Sequence, residues 1–538
     1  MKRFFCFCLC ACLFFSLAGC SRDDTPKNAD ATIRYHLAEE PASLDPQISR
    51  NVSTDIVIEA LFEGLCRLDE NNDPYPGVAL SWTHNSTFTE YTFTLREDAV
   101  WSNGDPVTAQ DFVFGWRRAI DPLTGSSSSS SLLPLKNAEK IAAGSLPVEE
   151  LGVSAPSDTT LVVSLEEPDE DFVRKTAQSV FMPCHESFFL ETNGRYGLSA
   201  VYTLGNGPFA FSNRYAWENG AHLKLSRSSS YVGENEPLPS ILYFLVGNTE
   251  CDVSDPVAAI ENGEVDVIEL PAGSLDAAKE SSGQVLTFAN DSTWGLCLNV
   301  QDDLFKNEGI RKLFLQTLNR ENLLTYLPPN SRVADDILSP ACEWNGKNYR
   351  KAAGEDFYLP QDDAILSTLS QALTTAKLDA MPSVTVFGPD VPNMQLMLNE
   401  MLVVWNGRLG NYFNLKTLPE NELQKKVESL DYQIAVSCLT PSGQDPLGML
   451  SLFSSESEEN PVGLKNSSYD SLLAQAASTT GEESLSAMMQ AEKYLNDAAI
   501  FYPLYYTDRY YLTGKTVSGV VIHPCGAGFD FILAGKEE

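Results

Sequence analysis

The chain has 538 residues, enough for two or three domains, and 43% of them are hydrophobic, enough to fill real cores. Its formal charge of -36 disfavours nucleic acid and anionic lipid as partners, since both are polyanions. Of the twelve cysteines, four stand at alternate positions near the start, and the seven beyond Cys20 are scattered, as are the five histidines; with no CxxC pair and no HExxH, no metal site and no cofactor is expected.

The first segment in chain order is a leader. Met1-Lys2-Arg3 is basic, Phe4 to Phe15 is apolar with cysteines, and Leu17-Ala18-Gly19 brings small residues up to Cys20. This pattern predicts a lipoprotein signal, residues 1–19, cut before Cys20, whose thiol then carries lipid. The apolar run is too short to span a bilayer. Lys2 and Arg3 leave with it and no acid does, so the mature charge is two lower, -38. Residues 20–30 are polar and read as a flexible tether between lipid and fold.

The body alternates strand and helix signals. Thr92-Phe93-Thr94-Leu95 alternates polar and apolar, which predicts a strand. Ala109 to Ile120 predicts a helix with Phe112, Val113 and Trp116 along one side. Gly125 and six serines, Ser126 to Ser131, read as a loop, and so does Ser454 to Asn460. Leu161 to Leu165 and Ser383 to Phe387 predict strands. Asn393 to Trp405 predicts an apolar helix whose Met394, Met397 and Met401 pack a core. No period of 20–50 residues repeats, and the mixture implies an α/β architecture.

Cys6, Cys8, Cys10 and Cys12 belong to the leader, so seven cysteines remain beyond Cys20: Cys66, Cys184, Cys251, Cys297, Cys342, Cys438 and Cys525. Export permits disulfides, but an odd number leaves at least one thiol unpaired within a monomer. The sequence does not pair them.

Several segments, in order, carry a family likeness. They are Glu40-Pro41-Ala42-Ser43-Leu44-Asp45-Pro46, Leu61-Phe62-Glu63-Gly64-Leu65 and Pro76-Gly77-Val78-Ala79. The most specific is the block Tyr91 to Val113, which holds Trp101-Ser102-Asn103-Gly104-Asp105-Pro106. Asn206-Gly207-Pro208-Phe209, Gly263-Glu264-Val265-Asp266, Ile310-Arg311 to Asn319-Arg320 and Pro503-Leu504-Tyr505-Tyr506 continue it. The chain resembles the peptide and nickel family of extracytoplasmic solute-binding proteins, and within it the oligopeptide-binding lipoproteins of ABC importers. The block from Tyr91 also has a plain physical reading. A strand ends at Arg96, Gly104 supplies a turn residue free to take positive φ, and Thr108 leads into a helix with Asp111 near its positive end.

The resemblance implies a two-lobed periplasmic-binding-protein type II fold with a hinge and an extra domain inserted in the first lobe. Carried over by position, lobe I is 31–52, 186–291 and 507–538, the insert is 53–185, and lobe II is 292–506. It implies a peptide or peptide-like ligand between the lobes, ABC permease subunits as partners, attachment to the membrane through the N-terminal lipid, and a monomer. The ligand-lining positions it implies are Glu40, Ala42, Phe114, Glu269, Leu270, Cys297, Cys438, Leu439, Thr440, Ser442 and Asp445. Asp445-Pro446 fits the family's acidic-Pro pair. Elsewhere the site departs from the pattern. The family carries a tryptophan and, three residues later, an aspartate that takes the peptide's α-ammonium group; Leu439 and Ser442 stand there. Val436 stands at an arginine of the family, and Cys297 at an acidic position.

A serine cannot neutralise an ammonium group, and burying that cation alone costs several kcal/mol, as a rough magnitude. Three readings stand. Asp445, Glu40 or Glu269 supplies the charge; the ligand's amine is modified, displaced or absent; or the importer role is weakened. No Gly-x-Ser-x-Gly elbow or histidine constellation points to a hydrolase. A surface adhesin or chaperone-like protein, and a nickel- or haem-type carrier, are the other readings this fold allows.

Overall fold

The structure, a computed structural model, describes residues 31–49, 51–354, 360–410, 413–441, 445–523 and 528–537. The leader, the tether, Ser442 and Cys525 lie outside the described residues. Strands in chain order are β1 (Thr32–Leu37), β2 (Ala79–His84), β3 (Glu90–Leu95), β4 (Val153–Ser157), β5 (Thr160–Ser164), β6 (Phe209–Phe211), β7 (His222–Arg227) and β8 (Ile241–Val246). They continue as β9 (Val267–Leu270), β10 (Gln284–Ala289), β11 (Thr293–Leu298), β12 (Ser331–Val333), β13 (Val384–Pro389), β14 (Phe413–Leu418), β15 (Ile434–Leu439) and β16 (Phe501–Thr513). The helices that matter here are α1 (Val52–Leu61), α2 (Ala109–Ile120), α3 (Pro392–Leu409) and α4 (Pro446–Ser451).

One continuous sheet runs β14-β13-β15-β11-β16-β9-β1-β8-β7-β6, with β10 and β12 also paired to β16. The 13-residue strand β16 joins its halves. Phe501 to Thr507 pair with β11 and β12, whereas Asp508 to Thr513 pair with β9 and β10. The chain crosses between the halves a second time between β10 and β11. The result is two lobes tied by two crossings. β1 runs parallel to β8 and β9 in one lobe, and β13 runs parallel to β14 and β15 in the other. A separate antiparallel sheet, β2-β3-β5-β4, forms a further body.

The cores explain which parts move together. A single buried cluster extends from Ile33 and Phe244 of the first lobe, through Phe62, to Phe93, Trp101 and Trp116 beside the four-stranded sheet. Fully burying one large apolar side chain stabilises by roughly 1.5–3 kcal/mol, so this shared cluster fastens the four-stranded body to the first lobe. The second lobe has its own clusters on the two faces of its sheet. Leu296 and Leu298 of β11 join one, and Cys297 between them joins the other, as the period of two requires.

The predicted elements compare well with these. The block from Tyr91 folds as β3, a turn with Gly104 at φ +92°, and α2 over the predicted range Ala109–Ile120. Asp111 accepts the Thr108 N–H at 2.8 Å and so caps the helix start. Phe112, Val113 and Trp116 are all buried, and the Trp116 indole donates to the Phe181 carbonyl at 2.7 Å. β5 and β13 occupy the two predicted strands within a residue or two, and α3 covers the predicted helix with Met394, Met397 and Met401 in the core. The serine loop needs correction: Ser129–Leu132 form a 3₁₀ turn, because buried Leu132 pins its end.

Two family segments meet in space. The buried Asn206 amide accepts the Glu63 N–H at 3.0 Å and donates to the Glu63 carbonyl at 2.9 Å. A Cβ at Gly207 would lie 2.6 Å from the Phe62 nitrogen, so only glycine lets the two backbones approach.

Candidate functional site

Strand direction decides where a site can form. β1 and β9 run the same way, and their carboxyl ends reach the level of Tyr510 on β16, beside the crossing. β15 ends at Leu439 opposite Thr293, the first residue after the other crossing. Both lobes therefore turn strand carboxyl ends toward the two crossings. In open α/β sheets such ends bind ligands, because the loops that follow them are free to present side chains.

Most sequence-predicted positions gather there. Glu40 and Ala42 follow β1. The partly exposed Glu40 carboxylate accepts the Gly220 N–H at 3.0 and 3.1 Å, and the Trp217 indole lies 3.5 Å away. Ala42 is exposed. Glu269 and Leu270 end β9. Burial pushes the Glu269 carboxyl up, against the opposing pull of Arg509. Cys438 and Leu439 end β15, and Thr440 follows, with its hydroxyl 2.9 Å from that of Ser292. Burial pushes the Cys438 thiol up to about 12, so it stays protonated at neutral pH. Leu439 and Leu270 are each 6% exposed, which leaves the backbone and the neighbouring side chains to meet a ligand. Phe114 sits half-buried on α2, its ring edge against Phe189 at 5.6 Å.

Cys297 is a correction. It lies toward the far end of β11 from the crossing and has no exposed surface, packed in a core of the second lobe. Alternation turns it into the core face it shares with Ala435 and Leu439, where it has no surface for a ligand to meet.

Asp445 is occupied. One carboxylate oxygen accepts the Gly448 N–H at 2.8 Å and caps α4, and the other lies 3.5 Å from the Lys175 ammonium. Lys175 is also held by Asp169 at 2.8 Å. This lysine was not among the predicted residues. The contact joins positions 270 apart in sequence, and only the acidic run Glu166 to Asp171 hints at it. Lys175 belongs to a wider contact between the four-stranded body and the second lobe. Arg174 pairs with Asp171 and Glu343, Asn345 donates to Glu170 at 2.8 Å, and Asn72 donates to Glu343 at 3.1 Å.

Two aromatic residues also border the crossings. Trp294 of β11 and Tyr505 of β16 stack at 5.7 Å with planes 8° apart. Beside them Arg332 pairs with Asp508 at 2.9 Å. Among the described residues, no group of three or more His, Cys, Asp or Glu is arranged to hold a metal ion, and no helix is long and apolar enough to cross a membrane. Cys66, Cys184, Cys251, Cys297, Cys342 and Cys438 are free thiols.

Two lobes on one shared sheet, with strand carboxyl ends facing the crossings, define a hinged solute-binding protein of the periplasmic type II fold. Residues 73–461 match the bacterial extracellular solute-binding proteins, family 5 (middle part), and the chain belongs to that family. The chain is 27% identical over 528 residues to the dipeptide-binding protein DppE of Bacillus subtilis, covering 96% of this chain and 95% of that protein. It is 27% identical over 486 residues to the periplasmic murein peptide-binding protein MppA of Escherichia coli, covering 87% and 86%. The substrate-binding domain of an oligopeptide ABC transporter from Bacillus anthracis superposes with a TM-score of 0.71 at 27% identity, covering 95% of this chain and all of that one.

Proposed function

We propose that this chain is the substrate-binding lipoprotein of a peptide ABC importer. It captures a peptide or peptide-like ligand between its lobes and hands it to the permease subunits. The observation that carries this reading is that strand carboxyl ends of both lobes face the two crossings, and Glu40, Glu269 and the Cys438–Thr440 segment stand at or just after such ends. Closure over a ligand there excludes water and strengthens each hydrogen bond to the ligand backbone. Such a protein needs no catalytic residue and no cofactor, and it works as a monomer. The relatives' names, which specify dipeptide and murein peptide binding, support the peptide class.

In this reading lobe I is 31–52, 186–291 and 507–538, the insert is 53–185, and lobe II is 292–506. Residues 1–19 are removed as a signal, and 20–30 tether the fold to lipid on Cys20, on the outer side of a membrane. Cys20→Ser should release the protein from the membrane fraction or leave it unprocessed; unchanged lipid labelling would refute the anchor.

The amine end of the ligand is the distinctive feature. Asp445 is engaged by Lys175 and its helix cap, Ser442 carries no charge, and burial pushes Glu269 toward its neutral form. A lost charge-assisted bond costs about 1.5–3 kcal/mol, or roughly ten- to a hundredfold in affinity. Of the three carboxylates Glu40 is then left to meet an amine, and it already accepts the Gly220 N–H, so ligands whose amine is modified or displaced suit this site better than free-amine peptides. Native mass spectrometry of gently purified protein should show one bound peptide-like ligand. Calorimetric titration of one tripeptide, with and without an N-acetyl group, should show little preference for the free amine, and Ser442→Asp should create one. A strong free-amine preference in the wild type that Ser442→Asp leaves unchanged would refute this view of the anchor.

A further inference from the structure

A short hairpin of the second lobe reaches the four-stranded body. Glu343–Trp344 pair with Lys347–Asn348, and Asn345-Gly346 turn between them with φ of +48° and +71°. Two positive φ angles make a type I′ turn, for which Asn-Gly is a favoured pair. The base of the hairpin is fixed. The Asn348 amide donates to the Pro340 carbonyl at 2.6 Å, the Tyr349 N–H donates to the Cys342 carbonyl at 3.0 Å, and Cys342 and Tyr349 are buried in a core of the second lobe. The tip meets the other body through polar groups. The Asn345 amide donates to Glu170 at 2.8 Å, and Glu343 accepts from the Asn72 amide at 3.1 Å and pairs with Arg174. Asn72 is itself oriented, since its oxygen lies 2.9 Å from His523 Nδ1. Phe172 and Val173, next to Arg174 in sequence, are buried in the cluster shared with the first lobe. The tip's partners therefore move with the first lobe, and its base moves with the second. Packing does not fill this joint. A cavity of about 530 Å³ lies beside the hairpin, between Leu133 and Pro134 on one side and Trp344 and Leu447 of the second lobe on the other. Exposed Glu166 and Glu167 also line it, so water reaches the joint.

We propose that this hairpin is a latch for the two lobes. Its tip holds the second lobe against the four-stranded body, which the shared core fastens to the first lobe. The ligand site then opens about the two crossings only when Asn345 and Glu343 let go. Glu343, Asn345, Glu170 and Arg174 are positioning residues: they are not among the strand-end positions, and they act on how long the lobes stay together. The joint suits repeated use. Asn72, Glu170, Glu343 and Asn345 are all half-buried, so water can replace each partner as the tip detaches. A buried apolar cluster has no such substitute, and the core on the other side of the body stays closed. The effect on ligand release rests on the peptide-binding reading; the effect on lobe spacing rests on the fold alone.

The test uses the full mature chain and two variants of the tip contact. Asn345→Asp sets a carboxylate against Glu170, and Asp-Gly suits the turn as Asn-Gly does. Adding Glu170→Gln to it returns an amide donor to the contact from the other side. Asn322→Asp, at an exposed position elsewhere on the second lobe, is the control for added charge. Small-angle scattering of the peptide-free protein should give Asn345→Asp a larger radius of gyration than the wild type. The paired variant and the control should keep the wild-type value. Stopped-flow release of bound N-acetyl-trialanine should be roughly tenfold faster in Asn345→Asp, with association little changed, and the paired variant should restore it. A radius and a release rate that Asn345→Asp leaves unchanged overturn the latch. A change that Glu170→Gln fails to reverse, or that the control reproduces, overturns it too. If the peptide does not bind, the peptide-binding reading falls, and scattering alone decides the latch.

Discussion

Two acid-rich clusters of this molecule sit in contrasting surroundings. Asp55, Glu59 and Glu63 follow one another at intervals of four along α1 and just beyond it, with Arg67 four residues further on. Glu63 and Arg67 pair at 2.7 Å, and Asp530 of the C-terminal segment reaches Arg67 at 3.2 Å. Glu59 and Glu63 are 3% and 2% exposed, and each has an oxygen without a hydrogen-bond partner. The second cluster, around Glu166 to Asp171, has exposed members and opens on the cavity. The first lies in the core that the four-stranded body shares with the first lobe; the second lies between that body and the second lobe, which has cores of its own. A permanent joint tolerates buried charge because it never opens to water. At the second joint Arg174 is buried among Asp171 and Glu343, but Glu166 and Glu167 beside it stay in water.

The largest expected effect tests the permanent joint. Arg67→Met leaves Glu63 and Asp530 buried without their cation, and breaking such a pair costs about 3–5 kcal/mol. Denaturant unfolding should show that loss; a cost under about 1 kcal/mol would mean the joint is wet, and the contrast would collapse.

The next effect concerns protons. Burial, with Asp55, Asp530 and Glu63 nearby and Arg67 opposing, pushes the Glu59 carboxyl well above its ordinary value of 4.5. A raised folded value means the native state binds the extra proton. The Glu59 contribution is therefore complete below pH 4.5 and declines as pH rises toward the folded value. Buried His523 acts the opposite way: its value is lowered from 6.5, so its contribution holds above 6.5 and falls on acidification. The informative quantity is thus a difference between variants. Between roughly pH 5 and pH 8, Glu59→Gln should remove a loss of stability with rising pH that approaches about 1.4 kcal/mol per pH unit for one proton. Thermal melts across that range check it, and parallel curves for variant and wild type would show that Glu59 ionises normally.

The smallest effect is at the separable joint. Lys175→Met breaks a partly exposed pairing with Asp169 and Asp445 and should change stability by less than about 1 kcal/mol. Its effect should appear in binding instead. Asp445 is freed, so a free-amine tripeptide should bind severalfold more tightly. Unchanged affinity would show that Asp445 does not border the ligand's amine.

Much of the fold follows from local patterns. The strand, turn and helix between Tyr91 and Ile120 are written in alternation, a glycine that takes positive φ and a capped helix start, all of which act over a few residues. The Met394, Met397 and Met401 face of α3 is equally local. Glu40 stands in a segment with a family likeness, whereas Glu269 and Cys438 are carried over by position, and all three sit at or just after strand carboxyl ends. Cys297 is carried over in the same way, yet strand alternation turns it into a core. Which carboxylates carry charge was not legible. Lys175 meets Asp445 across 270 residues, and Asp530 meets Arg67 across 463. Nothing local encodes those distances. The acids of α1 stand singly in an apolar helix, whereas five of the six residues from Glu166 to Asp171 are acidic, and neither pattern says which of them meet a cation. Only packing sets one inside a core and leaves the other facing a cavity, because the effective dielectric around a carboxylate is a property of everything folded around it.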